Sequence, residues 1–150
     1  MMETMAQPTA DERDGYHMPR VLTLVERQIA SRLSRALEAA GSSIEEWRVL
    51  SLLMDGAGHP MTELAEFALL PPPSLTKLVD RLVSANLVHR RVDESDRRRV
   101  LAFATERGLA AHRSLAAIAK REQLSLEEAA GREEVALLHA LLTRLAERLG

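Results

Sequence analysis

The chain has 150 residues, of which 46% are hydrophobic, and its formal net charge at pH 7 is −2. Its length and apolar content are enough for one compact domain with a sizeable core, and the excess of Leu and Ala over aromatic residues favours helices over sheet. The absence of cysteine excludes disulfides, thiolate metal sites and redox sensing through a thiol.

The N-terminal segment shows no targeting signal. Residues 1–13 have neither the basic region nor the apolar core of a signal peptide, and no apolar run reaches the roughly 18 residues of a membrane span. We therefore expect a cytoplasmic protein without a membrane partner. Residues 1–17 are polar and aperiodic, which predicts a flexible arm.

The first half of the chain predicts three helices. Pro19 suits a first helical turn, and apolar residues at every fourth position predict a long helix over Arg20–Ala40. Ser43 and Glu46 form a capping-box pattern that predicts a second helix over Ile44–Met54. After the turn DGAGHP, Thr62 is placed to cap a short helix over Glu63–Ala68.

A helix and a basic hairpin follow the proline-rich connector LLPPP. Residues 74–85 put Leu and Val at helical spacing on one face, and Asn86 suits the left-handed residue that ends a helix. Two short strands, Leu87–Val92 and Val100–Ala104, enclose the charged turn Asp93–Arg98. Two short helices joined by a tight connector and followed by a basic hairpin predict a winged helix-turn-helix, with residues 72–85 as recognition helix and 87–104 as wing.

Positive charge is concentrated in this module. Residues 74–99 contain seven Lys or Arg and four Asp or Glu, whereas the whole chain has 20 and 22. A local basic cluster on an acidic body is suited to contact with nucleic acid phosphates. The alternative is a charged hairpin that is merely solvated.

Long helices are predicted at the C-terminal end as well. Thr105 is placed to cap a helix over about Glu106–Ala129, and Arg132–Leu149 has heptad-like apolar spacing. A capping-box pattern at Ser125 and Glu128 offers an alternative start for this last helix. We expect a mainly α protein with a small α+β wing: an arm (1–17), helical dimerisation regions (18–42 and 105–150) and a winged helix-turn-helix domain (43–104). A homodimer would bury the heptad-like face. An intramolecular three-helix bundle is the alternative.

Three segments give the sequence a specific family resemblance. They are IEEWRVLSLL (44–53), MTELAEFALLPPPSLTKLVDRLVSANLVHRR (61–91) and DESDRRRVLAFATERG (93–108). In this order and spacing they resemble the MarR family of dimeric bacterial winged-helix transcription factors.

The resemblance implies which residues contact DNA. Thr76 and Lys77 are expected at base edges in the major groove, Ser74 and Arg81 at phosphates, and one wing arginine in the minor groove with Asp96 orienting it. The chain departs from the family pattern in three places: Leu69, Pro71 and Pro73 replace small or polar residues, Asn86 replaces a glycine, and Ser95 replaces a wing-tip arginine. The expected DNA-binding residues are Ser74, Thr76, Lys77, Arg81, Asp96, Arg97, Arg98 and Arg99.

The resemblance also implies a small aromatic or anionic effector, bound between the dimerisation helices and the winged domain. Trp47 has a structural alternative as a core residue, and His112 has one as a residue at the core boundary. The candidate effector-binding residues are Tyr16, His17, Arg20, Trp47, Arg48 and His112. No cofactor or metal is expected.

The function hypothesis is a homodimeric regulator, usually a repressor, that binds a pseudo-palindromic operator and is released by its ligand. The alternative is a winged-helix module for protein contact, such as an adaptor. An enzyme is disfavoured because His59 and His112 lack metal-site spacing and the sequence has neither a Gly-rich phosphate loop nor a nucleophile elbow.

Overall fold

A computed structural model describes residues 17–150. It contains six α-helices and a three-stranded sheet among these residues. The helices are α1 (Met18–Glu38), α2 (Ile44–Leu52), α3 (Met61–Ala68), α4 (Pro72–Ser84), α5 (Glu106–Ala130) and α6 (Arg132–Leu149), and the strands are β1 (His59–Pro60), β2 (Val88–Val92) and β3 (Val100–Ala104). A short 3-10 helix, Leu53–Asp55, follows α2.

The chain divides into two compact units, and the division falls inside α1. The first unit ends at Arg32, and the structure describes its residues from 17 onward; the second is Leu33–Gly150. The second unit contains the end of α1 and every later element, so it contains the whole winged helix-turn-helix.

Several helix ends confirm their sequence signals. Ser43 Oγ accepts a hydrogen bond from the Glu46 amide at 3.1 Å, as the capping pattern predicts. Asn86 follows α4 in the left-handed conformation, with φ of 58°. The last helix has the predicted bounds Arg132–Leu149.

The start of α3 corrects the prediction. Thr62 was expected to cap this helix, but the helix begins at Met61, and Pro60 occupies the N-cap position without a side-chain hydrogen bond. His59 and Pro60 were expected within a turn, yet they form β1 and pair with Ala102 and Leu101 of β3. Two residues, one of them proline, are too few to produce a strand pattern in the sequence, so only the pairing partner identifies β1.

The sheet has the strand order β1-β3-β2 and is antiparallel throughout. The predicted strand Val100–Ala104 is confirmed with its bounds, and it is central because β1 pairs along one edge and β2 along the other. The two long strands pair from Val88↔Ala104 to Val92↔Val100, which leaves residues 93–99 as the wing tip.

The core of the second unit consists mainly of aliphatic side chains from α1, α2, the 3-10 helix, α3, α4 and β2, and it also includes Ala102 of β3, Leu115 of α5 and Val135 of α6. Each predicted inward position of α4 is buried, which confirms the amphipathic pattern of that helix. The largest fully buried side chains are Leu37, Leu50, Leu53, Leu64, Leu75, Leu82, Val49, Val79 and Val88.

Hydrogen bonds and close packing hold the start of α5 against the loop that follows the recognition helix. Thr105 Oγ1 donates to the Asn86 carbonyl at 2.7 Å and accepts from the Gly108 amide at 3.0 Å. The Thr105 amide also donates to the Leu87 carbonyl at 3.0 Å. A Cβ atom on Gly108 would lie 2.1 Å from the Leu87 carbonyl oxygen, so this close approach requires glycine. The Thr-x-x-Gly motif is therefore explained by packing.

Among the described residues, no helix is both long and apolar enough to cross a membrane.

Candidate nucleic-acid interface

The outer face of α4 is polar and exposed. Burial of Leu75, Leu78, Val79 and Leu82 fixes the rotation of this helix and turns the intervening positions outward. The exposed residues include all four predicted DNA contacts on this helix: Ser74, Thr76, Lys77 and Arg81.

One of these four side chains already has a partner for its proton. Thr76 Oγ1 donates to the Pro72 carbonyl at 3.0 Å within the helix. Its hydroxyl proton is therefore engaged, which leaves a methyl group and an oxygen lone pair for an outside partner.

Two aspartates order the tip of the wing. Asp93 Oδ1 accepts from the Ser95 amide at 3.0 Å and from the Ser95 hydroxyl at 2.7 Å, and these bonds lower the pKa of Asp93. Asp96 Oδ1 accepts from the Arg98 amide at 3.1 Å and lies 3.5 Å from Arg98 Nε. Short side-chain-to-backbone bonds of this kind stabilise tight turns.

The three consecutive arginines project from this ordered turn. Arg97, Arg98 and Arg99 are all exposed, and the Arg98 side chain is 94% exposed. Among these three arginines, the Asp96 carboxylate contacts Arg98, whose side chain stays exposed. This arrangement presents cations to an approaching polyanion.

Arginines on the wing strand make internal contacts instead. Arg90 forms an ion pair with Asp80 of α4, which connects the recognition helix to β2. The Arg91 guanidinium lies 5.5 Å from the centre of the Phe103 ring, and the His89 ring stacks on Phe103 at 5.3 Å. Sequence reasoning missed the Asp80–Arg90 pair, since ten residues and a loop separate its members.

The predicted effector residues fall in different parts of the chain. Tyr16 lies outside the described residues, and His17 and Arg20 belong to the first unit. In the second unit, Arg48 Nη1 donates to the Ala68 carbonyl at 3.3 Å, so Arg48 caps the end of α3.

Trp47 and His112 are connected through Ser51. The Ser51 hydroxyl donates to the Trp47 carbonyl at 2.7 Å, and Ser51 Oγ lies 3.1 Å from His112 Nε2. Because the hydroxyl proton points to the carbonyl, His112 Nε2 must be the donor to Ser51. Burial lowers the pKa of His112, which favours this neutral imidazole. Trp47 Nε1 is buried and has no hydrogen-bond partner among the described residues.

A cluster that the sequence analysis missed lies between α2 and α3. His59 Nε2 is 2.8 Å from Asp55 Oδ2, and His59 Nδ1 is 2.8 Å from Glu63 Oε2. Both ring nitrogens can donate only in the protonated imidazole. Partial burial of the ring lowers its pKa, but the hydrogen bonds that the ring donates to the two carboxylates, together with their negative charge, outweigh burial and raise the pKa above 6.5. The i, i+4 spacing of the three residues was the available signal. In the described part of the chain, no group of three or more His, Cys, Asp or Glu side chains is arranged to hold a metal ion.

Comparison with known proteins identifies the family. The MarR family model matches residues 43–100, the segment that contains the helix-turn-helix and most of the wing. Over 111 residues the chain is 32% identical to the HTH-type transcriptional regulator FarR of Neisseria gonorrhoeae, covering 74% of this chain and 76% of FarR. The chain belongs to the MarR family. It is accordingly a DNA-binding transcriptional regulator with a winged-helix fold, in a family whose members are not enzymes.

Solved structures agree with this assignment. NadR in complex with 4-hydroxyphenylacetate superposes with a TM-score of 0.72 at 27% identity, over 97% of this chain and 98% of NadR. The transcriptional repressor CouR, bound to a 23-mer DNA duplex, superposes with a TM-score of 0.80 at 21% identity, over 93% of this chain and 99% of CouR. At that identity the likeness to CouR shows the fold alone.

Proposed function

We propose that this MarR-family regulator is a homodimeric repressor that acts in the cytoplasm and binds a pseudo-palindromic operator. The proposed contacts are recognition helix 72–85 in the major groove and wing 87–104 in the minor groove. The observation that supports this most is the joint exposure of two surfaces. The polar face of α4 and the arginines at 97–99 are exposed in one unit, and the Asp80–Arg90 ion pair connects their elements.

The proposed roles of the individual residues follow from their chemistry. Lys77 donates to guanine O6 or N7, while Ser74 and Arg81 contact phosphates. Arg97, Arg98 and Arg99 supply the cations for the minor groove, whose negative potential attracts them. Asp96 positions Arg98, to which it is already bonded.

The apolar face of α6 supports the proposal of a homodimer. Within the second unit, this helix leaves a row of leucines more than a third exposed, although they follow a heptad-like spacing. A second copy of the chain, packed through regions 18–42 and 105–150, would remove them from water. These residues are Leu137, Leu138, Leu141, Leu142, Leu145 and Leu149.

An effector of aromatic acid type is proposed to release the protein from DNA. The solved structure of NadR contains 4-hydroxyphenylacetate, an aromatic carboxylate. Here the buried, unpartnered Nε1 of Trp47 is a donor suited to an oxygen of such a ligand, and Ser51 links Trp47 to His112. The effector would act by favouring one spacing of the two recognition helices over another.

Fluorescence anisotropy against duplex DNA from the region upstream of the protein's own gene tests the proposal. We expect the native duplex to bind roughly a thousandfold more tightly than a scrambled duplex at physiological salt. The double variant R97A/R98A should lose much of this affinity. The matched control K120A/R121A removes two exposed charges from α5. Light scattering first checks that its mass equals that of the wild type, and it should then bind DNA as the wild type does.

Either of two results would contradict the proposal. In the first, affinity for native and scrambled duplexes falls together and steeply with salt, which indicates only non-specific phosphate binding. In the second, R97A/R98A and the control bind equally well, so the wing is dispensable. The protein-contact alternative would then be favoured, and a selection on genomic fragments would show whether any operator exists.

A further inference from the structure

The connector before the recognition helix exposes an unusual amount of apolar surface. Leu69 is 74% exposed, and Pro71, Pro72 and Pro73 are all exposed. Leu69 also adopts the left-handed conformation, with φ of 58°, which a non-glycine residue adopts only at a cost. The left-handed turn ends α3, since the Leu70 amide donates to the Ala65 carbonyl at 3.0 Å, but this role does not require an exposed leucine.

The same connector removes hydrogen-bond donors from the start of α4. The N-terminus of a helix ordinarily presents free backbone N–H groups to phosphates. Here the N-cap residue and the first two helical residues are Pro71, Pro72 and Pro73, and none of them has an N–H group. The Leu75 amide donates to the Pro71 carbonyl, so Ser74 has the one amide of this turn that remains for a phosphate.

One helical turn further on, the Thr76 hydroxyl proton is engaged by Pro72. The exposed surface of the connector and of the start of α4 is therefore largely carbon, beside the Ser74 hydroxyl and the Lys77 ammonium group: it consists of the pyrrolidine rings, the Thr76 methyl group and the Leu69 side chain. In the major groove, the base feature that matches an apolar surface is the C5 methyl group of thymine.

We propose that Leu69, Pro73 and Thr76 recognise thymine methyl groups in each half-site. The inference rests on the proposed DNA-binding function and specifies its sequence preference. Lys77 follows Pro73 by four residues, which is about 6 Å along the helix axis. Because Lys77 is assigned to guanine, the half-site should contain thymine within a few base pairs of that guanine.

The test begins with selection of duplexes from a random-sequence pool by the full-length wild-type protein. Each thymine of the selected half-site is then replaced by deoxyuridine, which removes the methyl group and nothing else. We expect at least one replacement to weaken wild-type binding about fourfold per half-site, the effect of one buried methyl group.

Protein variants assign each methyl contact. Thr76→Ser keeps the hydroxyl and removes only the methyl, so it should abolish the deoxyuridine effect at one position. Thr76→Val keeps the methyl and should retain that effect. Thr62→Ser is the matched control, because it removes the same methyl group from an exposed threonine of α3 that is assigned neither to DNA nor to the dimer interface, and it should bind as the wild type does.

The variant Leu69→Gly distinguishes a DNA contact by Leu69 from a purely structural role of this residue. Relief of the left-handed strain should raise Tm by about 1–3 °C, while DNA affinity falls because the apolar contact is lost. A merely structural Leu69 would move stability and affinity in the same direction.

The outcomes separate this inference from the proposed function. If no duplex is enriched, the DNA-binding proposal fails, and this inference fails with it. If a duplex is enriched but its half-site lacks thymine, or no deoxyuridine replacement matters, the thymine inference alone is overturned. Loss of the deoxyuridine effect in Thr76→Val but not in Thr76→Ser would also overturn it.

Discussion

At the scale of single residues, His59 is the most informative. Both nitrogens of its imidazole ring donate hydrogen bonds to carboxylates, which requires the protonated, charged ring. It joins Asp55, the last residue of the 3-10 helix, to Glu63 in α3, while its backbone belongs to β1. The His59 side chain is only 14% exposed, so this ion pair is less accessible to solvent than an ordinary surface pair.

The raised pKa of His59 predicts a pH-dependent contribution to stability. A group whose pKa is raised on folding stabilises the protein fully below its unfolded value of 6.5, and this contribution is lost as pH rises through the folded-state pKa. Urea unfolding of wild type and His59→Gln should therefore show a larger difference at about pH 6 than at about pH 8.5.

His112→Gln is the matched control for this experiment. Burial lowers the pKa of His112, so the folded protein disfavours its protonation and the wild type should lose stability relative to His112→Gln as pH falls below 6.5. The stability differences between the wild type and these two variants should therefore change with pH in opposite directions. A pH-independent difference for His59→Gln would show that folding does not raise the pKa of His59.

A second prediction at this scale concerns Gly108. Gly108→Ala would place a methyl group 2.1 Å from the Leu87 carbonyl oxygen, so the start of α5 must move away from the loop that follows α4. We expect a loss of about 2–4 kcal/mol in the free energy of unfolding, which is typical of overpacking against backbone. Gly56→Ala is the comparison: nothing lies within 4 Å of its Cβ, and only its φ of +71° opposes the change. Equal losses for the two variants would contradict the steric explanation.

At the scale of elements, local patterns predicted the helices well because each helix collects apolar residues at a helical spacing. The inward positions of α4 and the bounds of α6 followed directly from apolar spacing. The order of short helices, tight connector and basic hairpin also predicted the winged arrangement, in agreement with the family resemblance. What the sequence did not predict were pairings between distant segments: β1 with β3, Asp80 with Arg90, and the His59 cluster. Such contacts depend on tertiary placement, which a local period does not encode.

The Asp80–Arg90 pair is predicted to align wing and recognition helix more than it stabilises the fold. The Arg90 and Asp80 side chains are 32% and 59% exposed, so the pair should contribute less than about 1 kcal/mol to stability. A wing that moved relative to the recognition helix, however, would contact the operator less specifically.

We therefore predict that Asp80→Asn and Arg90→Gln each lower the ratio of specific to non-specific DNA affinity about tenfold, a typical coupling energy of 1–2 kcal/mol. Anisotropy against operator and scrambled duplexes measures this ratio. The two variants change net charge in opposite directions, so a shared loss cannot arise from long-range attraction to phosphates. A double variant with the summed loss of the two singles would contradict the assigned coupling.

At the scale of the whole molecule, the charge distribution is consistent with the proposal although the net charge is negative. A chain of net charge −2 concentrates exposed arginines at one hairpin, and the rest of its surface is more acidic than basic. Such asymmetry favours one orientation on DNA and disfavours non-specific wrapping.

The exposed leucines of α6 predict an oligomer at the same scale. Leu138→Glu/Leu142→Glu would place charges in the proposed interface, and we expect light scattering to show monomers where the wild type forms dimers. His139→Glu, an exposed change on the same helix, should leave the mass unchanged. A monomeric wild type would contradict the dimer directly, and so would a dimeric double variant.

The most direct test of the central claim, a twofold dimer reading two half-sites, is the spacing of those half-sites. Five extra base pairs inserted between the halves of a selected operator would turn one half to the opposite face of the duplex. We predict that two protomers bind the intact operator. The insertion should lower affinity about a hundredfold or more, since the second recognition helix can no longer reach its half-site. Unchanged affinity with the insertion, or one protomer per duplex, would contradict it.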